Sequence, residues 1–438
     1  VTFPHPSGPG PHPPAPGTGL AAALVRAREA ACLTQDELAV RSGLSVRAIR
    51  NLETGHTARP RRQSLVLLAE ALGLAPAEAR RLLRLPRGGG HPAGPAAPPG
   101  SPGSDGPLAP HAAAAPAELP PAPRHRLAGR EALAAALAAG LPGRGAPTVV
   151  VGPPGAGKTA LVLRTAHAAR DRFPDGQVYV DLHPASCRPV TPDQLVQRVL
   201  RSLGRGAGVR GPEEARARLR DALAGQRVLV VLDNVVTEAQ VRPLLVDGGR
   251  SAVLVAARRE LPALPGRSGH RIGVLGRPEA REVLEDLAGV ARIRGDRPAA
   301  LDIVRYCGGL PLALHLAGLW LSARPHRSPR DLADRLADER DRLDTLCVGD
   351  LSLRASVAAY HRPLPPPLKA TLHELRHLAG EFGVEEIPAR VAASRRLAVD
   401  LLEELAHRQL VLAGAPDRAG RVRYRLHEAV RLYVAHGG

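Results

Sequence analysis

The residues with the clearest chemistry are Gly152-Pro153-Pro154-Gly155-Ala156-Gly157-Lys158-Thr159, which fit the spacing GxxxxGK[ST] directly after the apolar run Thr148–Val151. Glycines at this spacing let backbone N–H groups close around phosphate oxygens, and a helix starting at the lysine adds the positive end of its dipole. Lys158 would then reach the β-phosphate of ADP, or the β- and γ-phosphates of ATP, and Thr159 would bind Mg²⁺, with Gly152, Gly155, Ala156, Gly157 and Ala160 forming the loop. Further along, Val228–Leu232 closes on Asp233, an apolar strand ending in a carboxylate that would hold the same Mg²⁺ through water. The next residue is Asn234, not a second acid. An amide cannot take a proton from water, so the pattern predicts binding with, at most, slow switch-type ATP hydrolysis.

A loop of this kind works only between a strand and a helix. Short β-branched runs at Thr148–Val151, Gln177–Leu182, Val228–Leu232 and Ala252–Val255 alternate with helical patterns, which predicts a parallel α/β sheet. After about residue 275 helices dominate, and strand-like runs return at Leu410–Leu412 and Arg421–Leu426.

A second chemistry is written at His373-Glu374-Leu375-Arg376-His377, an HExxH match. On a helix its two histidines would share one face and could hold Zn²⁺ with Glu374 as base, making a zinc hydrolase the remote alternative. A metzincin-type continuation keeps Gly380 but has Gly383 where a third histidine is required, which argues against it.

The N-terminal third has a different pattern. Leu20, Leu24, Ala27 and Ala31 recur at helical spacing, Thr34 with Glu37 forms a capping box, and Ser45 caps a third helix running to Thr54. On that helix Val46, Ile49 and Leu52 face inward and leave Arg47, Arg50 and Asn51 outward, residue types that read guanine and adenine edges in the major groove. Gln35 and the basic group Arg59, Arg61 and Arg62 are candidates for phosphate contacts. The stretch LTQDELAVRSGLSVRAIRNLETG resembles the helix-turn-helix of the Xre/Cro repressor family, which implies a five-helix domain binding double-stranded operator DNA through Gln35, Ser45, Arg47, Arg50, Asn51 and Arg61.

From Arg124 onward the chain resembles the NB-ARC module of the STAND signal-transduction ATPases, in particular actinobacterial regulators that join it to a DNA-binding domain. The matching pieces in order are RLAGRE, VVVGPPGAGKTAL, FPDGQVYVDL, VLVVLDN, VLVAARR, CGGLPLAL, DLADRLADERDRLDTL and YRLHEAVRLYV. The resemblance implies that Arg258 is a sensor arginine facing the γ-phosphate, that Pro311 packs on adenine, that His427 touches the β-phosphate of ADP, and that Arg130 lies at the nucleotide. Two departures stand out: Ala256-Ala257 precedes Arg258 where Thr-Ser is usual, and the MHD-type triplet reads Leu426-His427-Glu428.

Composition bounds the rest. The formal net charge is +18, from 60 basic against 42 acidic residues, which points to a polyanionic partner; yet only Lys158 and Lys369 are lysines, and so arginine-heavy a usage also follows from a GC-rich genome. Four dispersed cysteines without a CxxC pair indicate neither a zinc knuckle nor a disulfide framework. No apolar run approaches the roughly 18 residues of a membrane span, and no charged region followed by an apolar one opens the sequence. A cytoplasmic protein is expected, at the nucleoid when on DNA.

The expected organisation is multidomain α and α/β. A disordered arm (1–17) precedes the helix-turn-helix domain (18–85) and a Pro/Gly/Ala-rich linker (86–123). A P-loop domain with a parallel sheet (124–275), a helical domain (276–346) and a winged helix (347–438) follow. The expected function is an ADP/ATP-switched DNA-binding transcription regulator that self-associates on activation. The alternative is a STAND signalling or defence ATPase whose N-terminal domain binds protein. Members of the family usually continue into a sensor repeat domain; the sensor here is then absent, supplied by a partner protein, or carried by a longer form.

Overall fold

The computed structural model describes residues 20–30, 38–39, 42, 44, 46–53, 62–72, 115–141, 146–183, 190–349, 351–378 and 380–436. The chain divides into two units, one up to residue 110 and one from residue 111 onward.

In the first unit, α1 (Leu20–Ala30), α2 (Val46–Glu53) and α3 (Arg62–Ala71) enclose a small core. Leu20, Leu24, Leu38, Ile49, Leu52, Leu65 and Leu68 are among its buried members. Ile49 and Leu52, three residues apart on α2, fall on one face, and Arg50 is exposed while Asn51 is half-buried. Arg28 of α1 pairs with Glu53 at the end of α2 at 2.7 Å. Of the residues expected to contact DNA, Gln35, Ser45 and Arg61 lie outside the described residues, as does the side chain of Arg47.

The second unit begins with a segment that Pro/Gly/Ala content marks as linker. Its residues 115–123 instead lie on protein: Ala117 bridges Gln177 in parallel, and the carbonyl of Pro120 is 2.7 Å from His167 Nε2. Proline fixes an extended backbone without needing a core of its own, so this composition suits docking along a strand as well as a free tether.

Next come α4 (Glu131–Gly140), β1 (Thr148–Val151), α5 (Lys158–Ala169), β2 (Gly176–Asp181), α6 (Pro192–Ser202), α7 (Pro212–Gly225), β3 (Val228–Val235), β4 (Ala252–Ala257) and β5 (Ser268–Arg271). The strands form one sheet in the order β2-β3-β4-β1-β5, parallel throughout. Alternate residues feed two cores. Val149, Val151, Val230, Leu232, Val253 and Val255 pack with α6 and α7, whereas Val150, Leu229, Val231, Leu254 and Ala256 pack with α4 and α5. Burial on both faces is why these strands read as continuous apolar runs.

Beyond the sheet lie α8 (Arg277–Ala288), α9 (Val290–Gly295), α10 (Arg297–Tyr306), α11 (Pro311–Ser322), α12 (Pro329–Ala337) and α13 (Glu339–Thr345). The chain continues through a hairpin of β6 (Cys347–Val348) and β7 (Leu351–Ser352), then α14 (Leu353–His361) and α15 (Pro366–Leu375). It ends with β8 (Glu381–Phe382), α16 (Arg395–His407), β9 (Val411–Ala413), β10 (Tyr424–Leu426) and α17 (Glu428–His436). The last three strands form an antiparallel sheet ordered β8-β10-β9. The sequence divides this part at residue 346, but a single apolar cluster runs through it, from Ala280 and Leu284 to Val430 and Val434. Among the described residues, no helix is long and apolar enough to cross a membrane.

Candidate nucleotide site

The site lies at the carboxyl ends of β1, β3 and β4, the side of an open parallel sheet where ligands bind. From β1 the chain turns through Gly152–Gly157 into α5. Gly157 is the N-cap, at φ 82° and with no side chain capping the helix. A left-handed N-cap suits glycine, and the first-turn N–H groups have no partner within the helix. A Cβ at Gly152 would run into the carbonyl of Ile272, so the turn also needs a glycine where it leaves β1.

Three cations converge here, and all are buried: Arg130, Lys158 and Arg258. Lys158 Nζ donates to the carbonyls of Gly152 at 2.8 Å and Pro153 at 2.9 Å. Arg130 donates to the carbonyls of Ala156 and Gly273. Arg258 Nε donates to Asn234 Oδ1 at 3.0 Å, and its Nη1 to the Ala359 carbonyl at 2.9 Å. Their donors thus go to neutral oxygens; among the described residues none of the three forms an ion pair with a carboxylate. Burial pushes the Lys158 ammonium down to about 7, and the charges of Arg258 and Arg130 push the same way against Asp233. Burial also lowers both guanidinium groups. Buried cations without a counter-charge are costly unless a ligand supplies one. The residues present therefore fit a polyphosphate.

Asp233 is the buried carboxylate at the end of β3. It accepts from Thr159 Oγ1 at 2.8 Å and Tyr179 Oη at 3.0 Å. Burial and the nearby Asp181 raise its pKa, while those hydrogen bonds and one from the Asn234 N–H hold it down. The Thr159–Asp233 pair is the hard oxygen set that Mg²⁺ uses beside a phosphate, so these residues fit the metal as well.

Asn234 holds an unusual backbone, φ 59°, where the β3–β4 register shifts between Leu232 and Val235. Asparagine tolerates this conformation better than most residues. Its amide donates to Asp181 Oδ1 at 2.9 Å while its carbonyl oxygen accepts from Arg258. Asp181 and Tyr179 were not singled out in the sequence, although both lie on β2 at positions level with β3 residues; Asp181 is level with Asp233 itself. Ala256 and Ala257 are buried in opposite cores, so the departure from Thr-Ser serves sheet packing and still delivers Arg258 at the strand end.

α11 closes the loop from the other side. The Leu312 N–H donates to the Gly155 carbonyl at 3.0 Å. A cavity of about 430 Å³ opens there, lined by Arg130, Gly157, Ala160, Pro311, Leu312 and His315 among others. Small-molecule sites typically measure about 300–1,000 Å³. Pro311 therefore shares a cavity with the phosphate loop. His427 does not line it; it lines a second cavity of about 930 Å³ with Gly308, Gly309 and Arg425. Its Nε2 is buried without a partner, and burial, Arg425 and Lys158 push its pKa down to about 4.

The HExxH residues make no metal centre. α15 ends at Leu375, so His377 lies past the helix and the i, i+4 geometry is lost. Both histidines are exposed beside Arg376, and Glu374 pairs with Arg390. Among the described residues, no group of three His, Cys, Asp or Glu side chains could hold a metal ion.

Comparison with known proteins matches residues 24–78 to a helix-turn-helix family model and residues 143–284 to an AAA domain model. The chain joins a helix-turn-helix domain to an AAA domain. The helix-turn-helix match takes in most of α1 and all of α2 and α3, and the AAA match takes in the loop, Asp233 and Arg258. The chain is 39% identical over 293 residues to the regulatory protein AfsR of Streptomyces griseus, a stretch covering 66% of this chain and 29% of the relative. It is also 39% identical over 289 residues to AfsR of Streptomyces coelicolor, covering 64% and 28%. The match thus spans under a third of each regulator's own length. Among solved structures, a Walker-type ATPase of Pyrococcus abyssi is similar at 14% identity and TM-score 0.45, over 72% of this chain and 97% of that one. A STAND protein with a tetratricopeptide repeat sensor from Pyrococcus horikoshii is similar at 16% identity and TM-score 0.34, over 73% and 43%.

Proposed function

We propose that the protein is a nucleotide-switched DNA-binding regulator. The observation that carries this reading is the set of three buried cations, Arg130, Lys158 and Arg258, placed around an uncapped helix N-terminus with no carboxylate paired to them among the described residues. A nucleoside di- or triphosphate supplies the missing negative charge. Lys158 and the loop N–H groups bind phosphate oxygens, and Arg130 and Pro311 border the cavity that takes the rest of the nucleotide. Thr159 and Asp233 hold Mg²⁺, which neutralises phosphate charge when bound. Asn234 leaves the position after Asp233 without a base, which suits a switch that turns over slowly.

The helix-turn-helix domain presents Arg50 and Asn51 to DNA, with Arg47 on the same helix. Self-association of the nucleotide-bound form would raise the effective concentration of these domains, so that paired half-sites bind tightly without new base contacts. A sensor partner would act by preferring one nucleotide state. The relatives named AfsR are regulatory proteins, which supports this reading.

The test is the nucleotide content of the purified protein, released by denaturation and separated by chromatography, with Lys158→Ala as control. Near-stoichiometric ADP or ATP that is lost in the variant is the expected result. Empty wild-type protein that also binds neither added nucleotide refutes the switch and leaves the helix-turn-helix to act alone.

A further inference from the structure

Two of the buried cations, Lys158 and Arg258, meet a helical turn from a distant part of the chain. Tyr360, on α14, is buried, and its ring centroid lies 5.1 Å from Lys158 Nζ and 5.6 Å from the Arg258 guanidinium carbon. Its hydroxyl donates a long hydrogen bond of 3.5 Å to the Gly152 carbonyl, the same oxygen that Lys158 bonds. The carbonyl of its neighbour, Ala359, accepts from Arg258. A single helical turn thus gives the two cations a ring face and a carbonyl, and no negative charge. Burial holds the phenol pKa well above its ordinary value, so the ring is a neutral partner at every physiological pH.

These two cations are the ones a third phosphate would claim. A lysine at this place in the loop reaches the outer phosphates, and Arg258 ends the strand beside Asp233. We propose that Tyr360, with the Ala359 carbonyl, stands in for the γ-phosphate and makes Tyr360 the residue that selects a nucleoside diphosphate over a triphosphate. This rests on the nucleotide reading of the loop given above.

The selection works by displacement. A diphosphate leaves Lys158 and Arg258 in place under the ring. A triphosphate must first lift α14 off them, and α14 is anchored by Leu353, Val357 and Ala358 in the large C-terminal core and by a ring contact of His361 with Tyr433 at 5.3 Å. A ring attracts a cation through its quadrupole but does not neutralise it. The contact is therefore strong enough to hold the cations and weak enough to yield.

The test measures the dissociation constants of ADP and ATP, each with Mg²⁺, for the full chain stripped of nucleotide, by titration calorimetry at pH 6.5. Wild type is expected to prefer ADP. Tyr360→Ala and Tyr360→Leu are expected to lower the ratio Kd(ATP)/Kd(ADP) by about tenfold, and Tyr360→Phe, which keeps the ring, is expected to stay within about twofold of wild type. Leucine keeps apolar volume at the site, so a folding defect confined to the alanine variant does not obscure the result. A wild-type ratio near one, or a ratio unchanged in both ring-deleted variants, overturns the proposal while leaving nucleotide binding intact. If wild type binds neither nucleotide, the nucleotide reading of the loop fails, and this inference fails with it.

Discussion

Raising the pH from 7 to 9 is expected to weaken nucleotide binding by about fiftyfold. The cause is Lys158, whose ammonium titrates at about 7 against an ordinary value of 10.5, chiefly because it is buried. A bound polyphosphate restores the proton by supplying the counter-charge, so the complex holds one more proton than the free protein above pH 7. Affinity falls with a slope that approaches tenfold per pH unit above pH 8 until the bound-state pKa is reached; starting from half protonation at pH 7, the two units correspond to about 2.3 kcal/mol. The nucleotide does not mimic this slope, since its last phosphate ionisation, near pH 6, is essentially complete by pH 7.5. Titration calorimetry at pH 6, 7, 8 and 9 in two buffers of different ionisation heat gives both the affinity and the protons taken up, with close to one proton expected at pH 8. Lys158→Arg, which keeps its charge throughout, is expected to bind with a flat profile. A wild-type affinity constant between pH 7.5 and 9, with no proton uptake, refutes the reasoning. The shift also has a sign for stability. Between about 7 and 10.5 the unfolded chain carries a proton on this lysine that the folded protein lacks, so nucleotide-free stability is expected to rise with pH across that window.

Asp233→Asn is expected to remove the Mg²⁺-dependent part of nucleotide affinity, at least about tenfold, seen as equal binding with and without chelator; retained Mg²⁺ dependence would relieve Asp233 of that role. Arg50→Ala is expected to weaken binding to a selected operator by about 1–3 kcal/mol in fluorescence anisotropy while leaving random DNA nearly unaffected; an equal loss on both would make Arg50 a phosphate contact. Leu372→Ala empties a fully buried position in the cluster shared by the helical and C-terminal regions and is expected to cost about 2–5 kcal/mol. Calorimetry is expected to show both regions melting together; a separate C-terminal transition argues against a shared core.

Much of the fold was legible because its central strands are buried on both faces. β1 coincides with the apolar run read from the sequence, and β2, β3 and β4 differ from theirs by a few residues at most. β5 was not legible. Its residues Ser268–Arg271 are mostly exposed at the sheet edge and are tied to β1 by backbone pairing, so side-chain chemistry carries no trace of it. β6, β7 and β8 are two residues long, too short for any period.

The site divides in the same way. Lys158, Thr159 and Asp233 sit in contiguous motifs whose spacing encodes their geometry. Tyr360 reaches Lys158 from some 200 residues away, through packing of α14, and nothing local to Tyr360 marks it. The left-handed Asn234 is intermediate: an asparagine after an apolar strand signals a possible turn of the backbone, but not the amide's link between Asp181 and Arg258. HExxH shows the reverse error, a spacing that counts only on a helix, at a place where the helix stops two residues too soon.

The segment 115–123 bears on the outer edge of this sheet. β2 is an outer strand, and such a strand offers free N–H and C=O groups to any other chain that can add to it. Here Gln177 exchanges hydrogen bonds with Pro116 and Glu118, and Pro116 packs so closely on Gly176 that a Cβ there would collide with it. The covering segment contains Pro116, Pro120, Pro121 and Pro123, which have no N–H with which to pass the ladder to a further strand. What looks like spacer composition therefore covers the start of an open strand edge. A protein cut at Arg124, the boundary the composition suggests, would keep the phosphate loop but bare the start of β2, and it would be expected to self-associate through strand addition where one cut before Ala115 stays dispersed.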